Sequence, residues 1–167
     1  MKTLIRITCL CFLCMLHLSP LNAQQSPPPE ADDFDFWIGD WTVYNTVSDT
    51  IVGYSTISSV VNGVAIQENY RSVGGYVGTS LNKYNAVDKR WEQYYVDNTG
   101  LTLHILGHFK DGKMTLSNSQ LMNGVMTDNK MTWTDNEDGT VRQVWEQKRP
   151  EQEEWTLLFD GTYKPKE

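Results

Sequence analysis

Residues 101–134 read LTLHILGHFKDGKMTLSNSQLMNGVMTDNKMTWT, and this stretch decides the fold class. Two dipeptides, Asp111-Gly112 and Asn123-Gly124, separate three runs that are rich in strand-forming residues. Both residues of such a dipeptide tolerate a positive φ angle, which the tightest β-hairpin turns require. The stretch therefore predicts three consecutive antiparallel strands joined by two hairpins.

The same turn signal recurs in the rest of the chain. Asn62-Gly63 and Asp138-Gly139 also separate extended runs. No window of ordinary helix length carries a sustained 3.6-residue apolar period, and the one helical candidate is a short turn at residues 33–38. The sequence therefore predicts about ten strands. Their expected ranges are 40–46, 51–61, 64–72, 76–84, 91–97, 101–110, 113–120, 125–134, 140–147 and 155–164.

An open sheet built from these strands would leave two unpaired edges. Closing the sheet removes both edges, and sequential hairpins give an up-and-down order of strands. The expected fold class is therefore all-β, an up-and-down antiparallel β-barrel. A β-sandwich is the alternative.

The N-terminal residues have the three parts of a secretory signal peptide. Lys2 and Arg6 form a positive end, an apolar run follows, and Leu21-Asn22-Ala23 resembles a cleavage site. The apolar run is too short to span a bilayer. We therefore expect a signal peptide at residues 1–23, a proline-rich extended spacer at 24–33 and one domain at 34–167, exported to the periplasm or secreted.

Cysteine and charge narrow the chemistry further. All three cysteines lie within the predicted signal peptide, so neither disulfides nor thiol chemistry is expected after export. The whole chain has a formal net charge of −7, and loss of Lys2 and Arg6 would make the exported part more acidic. An acidic surface argues against nucleic acid and against anionic membranes as partners. The oligomeric state stays open.

Period-2 alternation places polar and aromatic side chains on the same strand faces. The groups that alternate together are Trp91, Gln93, Tyr95 and Asp97; Gln143, Trp145 and Gln147; and Gly78, Ser80, Asn82 and Tyr84. A sealed core favours aliphatic residues, whereas a ligand cavity combines aromatic walls with a few hydrogen-bonding groups. We therefore expect these faces to point inward. The candidate ligand-binding residues are Tyr84, Gln93, Tyr95, Gln143 and Trp145, and the expected ligand is a small, largely apolar molecule.

The entry to the first strand, Phe-Asp-Phe-Trp-Ile-Gly-Asp-Trp at 34–41, resembles the Gly-x-Trp opening of the lipocalins and their calycin relatives. In that superfamily the tryptophan closes one end of the barrel, and an arginine from a late strand packs on it. The resemblance implies these structural roles for Gly39, Trp41 and Arg142. A guanidinium over an indole face forms a favourable cation–π pair.

A broader resemblance covers nearly all of the predicted domain. The chain is similar to a family of exported bacterial lipocalin-like proteins of unknown function. The segments that carry this likeness are 34–41, Gln-Glu-Asn-Tyr at 67–70, Ser-Leu-Asn at 80–82, Val-Asp-Asn at 96–98, Val-Arg-Gln-Val-Trp-Glu-Gln at 141–147 and Trp-Thr-Leu-Leu-Phe-Asp-Gly-Thr-Tyr at 155–163. Lipocalins usually carry apolar ligands, which is what the resemblance implies here. The glycine-rich tryptophan motif of haem-binding nitrobindin-type barrels is not visible, so no cofactor is expected.

Three acids within aromatic or apolar strands support an alternative hypothesis, a carboxylate-based enzyme. Two of Glu68, Asp97 and Glu146, or one of them with His104 or His108, would have to face a common pocket as general acid and base. Common hydrolase, kinase and metalloprotease motifs are absent from the sequence. The enzyme hypothesis therefore depends on geometry alone.

The two histidines of the predicted domain and its acidic run at 135–139 are possible metal ligands. His104 and His108 lie about 13 Å apart on a regular strand, too far to share one metal, and the acidic run at 135–139 lacks the alternating spacing of a calcium loop. No metal site is therefore predicted. A third hypothesis is an envelope interaction domain, which a contiguous apolar patch on the outer wall would favour.

Overall fold

A computed structural model describes residues 27–167, and strands account for most of this part of the chain. The ten strands are β1 (Gly39–Asn45), β2 (Ile51–Val60), β3 (Ala65–Ser72), β4 (Val77–Asn85), β5 (Arg90–Asp97), β6 (Thr102–Lys110), β7 (Lys113–Met122), β8 (Val125–Asp135), β9 (Val141–Lys148) and β10 (Thr156–Pro165). Short 3₁₀ turns cover Pro29–Asp32, Asp35–Trp37 and Val61–Gly63. The predicted signal peptide lies outside the described residues.

The ten strands form a closed antiparallel barrel. Each strand pairs with its neighbours in sequence, and β1 pairs with β10 to complete the ring. The closing seam runs from Trp41 opposite Pro165 to Asn45 opposite Gly161. The predicted all-β, up-and-down barrel is confirmed, and the sandwich alternative is excluded because the sheet returns to its first strand.

The four predicted turns separate into three types. Asp111-Gly112 and Asn123-Gly124 are two-residue hairpins in which both residues have positive φ, as the dipeptides predicted. Asn62-Gly63 instead belongs to a 3₁₀ turn between β2 and β3. Asp138-Gly139 lies in the longer loop between β8 and β9, where the Asp138 carboxylate accepts hydrogen bonds from the Thr140 backbone and hydroxyl.

The segment before the barrel is more structured than its composition predicts. Residues 29–33 were expected to be solvated and extended, but Pro29–Asp32 forms a 3₁₀ turn and Ala31 is buried. The Trp91 indole donates to the Glu30 carbonyl at 3.2 Å, which attaches this turn to the barrel. The predicted helical turn at 33–38 is present in shorter form as Asp35–Trp37.

An aromatic plug formed by Phe34, Trp37, Trp91 and Trp133 fills one end of the barrel. All four side chains are almost fully buried. Phe34 lies between 5.1 and 5.6 Å, centroid to centroid, from the other three rings. Each ring of this size removes a large apolar area from water, so the plug supplies a substantial share of the core. It defines the closed end.

Trp41 lies beside the plug, but Arg142 does not pack on it as the resemblance implied. The Trp41 indole donates to the Trp37 carbonyl at 2.9 Å, and its ring meets Tyr163 edge to face. Arg142 is exposed and forms a bidentate ion pair with Asp160, with N–O distances of 2.8 and 2.7 Å. Strand alternation is the physical reason, because residues 141 and 143 of β9 point inward and therefore turn 142 outward.

Candidate functional site

The other end of the barrel holds a cavity of about 560 Å³. This volume lies within the range of small-molecule sites. The cavity is lined by Asn45, Val47, Val52, Glu68, Tyr70, Ser72, Tyr76, Gln93, Tyr95, Met131, Gln143, Trp145, Leu157, Leu158, Phe159, Asp160 and Tyr163. Its mouth lies at the β1–β2, β3–β4 and β9–β10 loops, opposite the aromatic plug.

The faces predicted to point inward do so. On β5, Trp91 and Gln93 are buried while the intervening Glu92 is not, and the β4 face from Gly78 to Asn82 is buried at alternate positions. Four of the five candidate ligand-binding residues line the cavity, namely Gln93, Tyr95, Gln143 and Trp145.

Tyr84 is the exception among the candidates. Its strand has run to the closed end by this position, and its ring packs edge-on against Trp91 of the plug at 6.1 Å. Tyr84 therefore belongs to the closed-end packing and not to the cavity. The alternation of side chains along β4 correctly predicted that Tyr84 points inward, but it carries no information on the position of a residue along the barrel axis.

Several cavity residues were missed as binding candidates. Tyr70 shares an alternating face with Glu68, and Phe159 shares one with Gly161 and Tyr163. The same period-2 argument applied to β3 and β10 would have found Tyr70, Phe159 and Tyr163. Of the residues on these two faces, the sequence predicts a role for Glu68 alone, as a possible catalytic acid.

Three inward glycines set the positions of the aromatic walls. A Cβ atom at Gly78 would lie 2.2 Å from the Tyr95 hydroxyl oxygen, and one at Gly161 would lie 2.4 Å from the Phe159 ring. At Gly53 it would lie 2.6 Å from the Tyr70 hydroxyl oxygen. Each ring therefore lies over a backbone that has no side chain, as close approach in a strand requires. The glycines let the rings lie against the wall and leave the lumen open.

Glu68 forms the polar floor of the cavity. Its side chain is 5% exposed, and its two carboxylate oxygens accept hydrogen bonds from Ser55 Oγ at 3.4 Å and Ser80 Oγ at 3.0 Å. Burial raises the pKa of Glu68 to about 7, and the two hydroxyl donors oppose that rise. Glu68 is thus a buried acid that titrates near neutral pH.

A chain of buried side chains points its donors toward this carboxylate. Gln93 Nε2 donates to Asn82 Oδ1 at 2.6 Å, and Asn82 Nδ2 donates to Ser80 Oγ at 3.0 Å. Ser80 then donates to Glu68. Successive hydrogen bonds that run in one direction polarise one another. These three bonds therefore orient the Glu68 carboxylate and stabilise its ionised form.

A second polar group secures the opposite wall. Asn129 Oδ1 accepts from the Trp145 indole at 3.2 Å and from Gln147 Nε2 at 2.8 Å. Tyr163 donates its hydroxyl to Gln143 Oε1 at 2.5 Å. These bonds use the polar atoms of the wall, so Trp145 and Tyr163 present mainly aromatic surface to the cavity.

Tyr76, Tyr95 and Asp97 form a cluster near the mouth. The hydroxyls of Tyr76 and Tyr95 are 2.8 Å apart, and Tyr76 also donates to an Asp97 carboxylate oxygen. Burial raises the pKa of Tyr76 to about 12, with a further contribution from Asp97. Burial alone would raise the pKa of Asp97, but hydrogen bonds from Thr99, Tyr76 and Leu101 outweigh burial, so the pKa is lowered. Asp97 is therefore ionised, and its carboxylate oxygens are used by hydrogen bonds from the turn at Thr99 and Leu101 and from Tyr76.

The paired acids that the enzyme hypothesis requires do not meet. Of the three candidate acids, Glu68 alone lines the cavity. Glu146 points outward and pairs with Lys130 at 2.9 Å. His104 lies on the outer wall, with its ring stacked 4.0 Å from that of Tyr94, and His108 is exposed. No second candidate acid or histidine therefore shares the Glu68 pocket.

Residues 27–167 contain neither a candidate metal cluster nor a candidate membrane-spanning helix. Within this range, no group of three or more His, Cys, Asp or Glu side chains is placed to hold a metal ion. Over the same residues, no helix has the length and hydropathy needed to cross a bilayer.

The outer wall carries a small apolar patch formed by Leu81, Tyr94 and Val96. All three are about half exposed, and Leu81 lies directly opposite Tyr94. The neighbouring pair on the same face, Lys83 and Glu92, is charged. The envelope interaction hypothesis stays a prediction.

Fold and site together define a closed ten-stranded antiparallel barrel with a cavity that opens at one end, has aromatic, aliphatic and polar walls, and holds a buried acid at its floor. A comparison of the sequence with protein-family models gave no match, and a comparison with curated proteins gave none either. The lipocalin-like resemblance therefore remains an inference from the motifs quoted above.

Proposed function

We propose that this protein is an exported, non-enzymatic binding protein whose cavity holds a small, largely apolar molecule. The observation that carries the proposal is the cavity at the end of the barrel opposite the aromatic plug. The plug fills the closed end, whereas the other end keeps a cavity of about 560 Å³ walled by side chains such as Met131, Trp145 and Phe159. Aromatic and aliphatic walls with few polar groups are typical of small-molecule sites.

The polar groups of the cavity fit binding better than catalysis. The enzyme hypothesis requires two proton-transfer groups that reach the same reacting group. Glu68 is held by two serines, and the carboxylate of Asp160, a residue that borders the mouth, is paired with Arg142 on the outer wall. Among residues 27–167, the cavity therefore places no second candidate acid and no histidine beside Glu68.

Diphenylhexatriene, a neutral hydrocarbon that fluoresces when it leaves water, is a suitable test ligand. We expect saturable binding with one site per protein. Trp145→Ala should weaken it about ten-fold, because it removes an aromatic wall. Trp155→Ala is the matched control, since Trp155 lies outside the cavity beneath Lys130 and its loss should leave affinity unchanged. Fluorescence titration measures both affinities. An absence of saturable binding, or equal losses in the two variants, would refute the proposal.

Export is supported by the residues that precede the described part of the chain. The positive end, the apolar run and the small-residue site at Ala23 have the order of a secretory signal. Expression of the full chain in a Gram-negative host should yield a periplasmic or secreted form whose N-terminal residue is Gln24. N-terminal sequencing of the fractionated protein checks this, and an uncleaved cytoplasmic product would contradict it.

A further inference from the structure

The charged groups of the cavity have one sign. Glu68 lies at the floor and Asp160 borders the mouth with its carboxylate turned to the outer wall, whereas no lysine, arginine or histidine lines the cavity among residues 27–167. Asp160 is neutralised by Arg142 on the outer wall. Glu68 has no such cation, since its hydrogen-bond partners are the neutral hydroxyls of Ser55 and Ser80. The floor therefore holds a buried carboxylate without a counter-charge.

The carboxylate also retains unused acceptor capacity. Each of its oxygens receives one serine hydrogen bond, while an ionised carboxylate offers about four lone-pair sites. Glu68 belongs to the cavity lining, so the remaining sites are available to a ligand at the floor. A buried charge is costly unless it is paired. A cationic donor is the ligand group that satisfies both conditions.

The walls above the floor suit the rest of such a ligand. Tyr70, Tyr95, Trp145 and Tyr163 surround the lumen with aromatic surface, and Phe159 and Met131 add apolar contact. Aromatic faces attract cations as well as hydrocarbon, particularly where water is excluded. The walls therefore accept an apolar body without opposing a positive charge at its inner end.

We infer that the cavity selects an apolar amine, whose protonated nitrogen hydrogen-bonds to Glu68 and whose hydrocarbon part extends along the aromatic walls toward the mouth. This inference rests on the proposed binding function and adds the chemical class of the ligand. A fatty acid of the same length is disfavoured, because its carboxylate would either face Glu68 or leave the floor unpaired. An alcohol can hydrogen-bond to Glu68 but supplies no charge.

The pH dependence follows from the groups around the floor. The side chains that face or influence Glu68 are Ser55 on β2, Tyr70 on β3, Ser80 on β4, Tyr95 on β5 and Tyr163 on β10. Burial raises the pKa values of the three tyrosines, so they remain neutral at physiological pH. Glu68 alone changes charge near pH 7 within this set. Amine binding should therefore strengthen as pH rises through about 7.

Displacement of diphenylhexatriene by decylamine, decanol and decanoic acid tests the inference, because the three share one chain length. At pH 8.5 we expect decylamine to bind about ten-fold or more tightly than decanol, and decanoic acid to bind most weakly. Glu68→Gln should remove the amine preference while decanol and the hydrocarbon probe still bind. Glu146→Gln is the matched control, because Glu146 lies on the outer wall beside Lys130.

The outcomes separate this inference from the proposed function. If the hydrocarbon probe binds but decylamine shows no advantage over decanol, or keeps its advantage in Glu68→Gln, the amine inference is wrong and the binding function stands. Failure of every ligand to bind would remove both. If Glu68→Gln does not fold, the amine-to-decanol affinity ratio of the unaltered protein between pH 5.5 and 8.5 decides. A rise supports the inference, and a constant ratio overturns it.

Discussion

Replacement of Trp133 by alanine should lower the free energy of unfolding by about 3–5 kcal/mol. Trp133 is fully buried and lies 5.2 Å from Phe34 and 5.3 Å from Trp37, centroid to centroid. The rings of the aromatic plug contact one another. Removing one leaves a void, because the remaining rings are held in place by their own strands and turns and cannot move to fill it. Urea denaturation followed by far-ultraviolet circular dichroism measures the change.

Two further variants separate the plug from tryptophan content in general. Trp155→Ala removes an indole that is 37% exposed, so its cost should stay below about 1 kcal/mol. Trp133→Phe keeps a ring in the plug and also removes a buried indole N–H that has no hydrogen-bond partner. It should therefore cost much less than Trp133→Ala. Similar losses for Trp133→Ala and Trp155→Ala would contradict the role given to the plug.

The barrel itself was predictable because its signals are local. Asn123-Gly124 and Asp111-Gly112 determine hairpins through the φ angles of two residues, and the structure has both in the predicted form. The loop containing Asp138-Gly139 shows the limit of that argument. There the dipeptide marked the position of a turn but not its length, because hydrogen bonds that Thr140 donates to the Asp138 carboxylate stabilise a longer loop.

The sequence predicted which strand faces point into the barrel, but not how far along the barrel axis each inward residue lies. Gln93 and Tyr95 line the cavity as alternation predicted, whereas Tyr84, on an equally inward face, packs at the closed end. Depth depends on where neighbouring strands begin and on their register, which no single strand encodes. The environment of Glu68 illustrates the same point, since Ser55 and Ser80 reach it from two different strands.

The implied role of Arg142 failed for a reason that is visible in the chain. Val141 and Gln143 flank it and point inward, so alternation directs Arg142 to the outer wall. There Asp160 on β10 offers a bidentate partner, with N–O distances of 2.8 and 2.7 Å. A motif-based role was thus overridden by strand geometry.

Glu68 should make the empty protein less stable as pH rises from about 4.5 to about 7. Its ordinary pKa of 4.5 applies to the unfolded chain, and burial raises the folded value to about 7. Between these values the folded state binds more protons than the unfolded state, so stability falls as pH increases and levels off above the folded pKa. The shift corresponds to a loss of about 3 kcal/mol.

Glu68→Gln isolates this effect, because glutamine keeps the shape of the side chain and cannot ionise. The stability difference between the variant and the unaltered protein should grow in favour of the variant from pH 5 to pH 8. Asp97 and Asp160 have lowered pKa values, so their contributions are lost only as pH falls further and are common to both proteins. Urea midpoints at several pH values provide the measurement, and a pH-independent difference would show that Glu68 does not titrate as described.

The ionisation of Glu68 links the stability of the empty protein to the kind of ligand that stabilises it. Above pH 7 the empty barrel carries an unpaired buried carboxylate, and a ligand that brings a cation relieves that cost on binding. Decylamine should therefore raise the unfolding temperature more at pH 8.5 than at pH 5.5, whereas decanol should raise it equally at both. In Glu68→Gln the pH dependence of the decylamine effect should disappear. A decylamine effect that is equal at the two pH values in the unaltered protein would mean that Glu68 does not face the ligand.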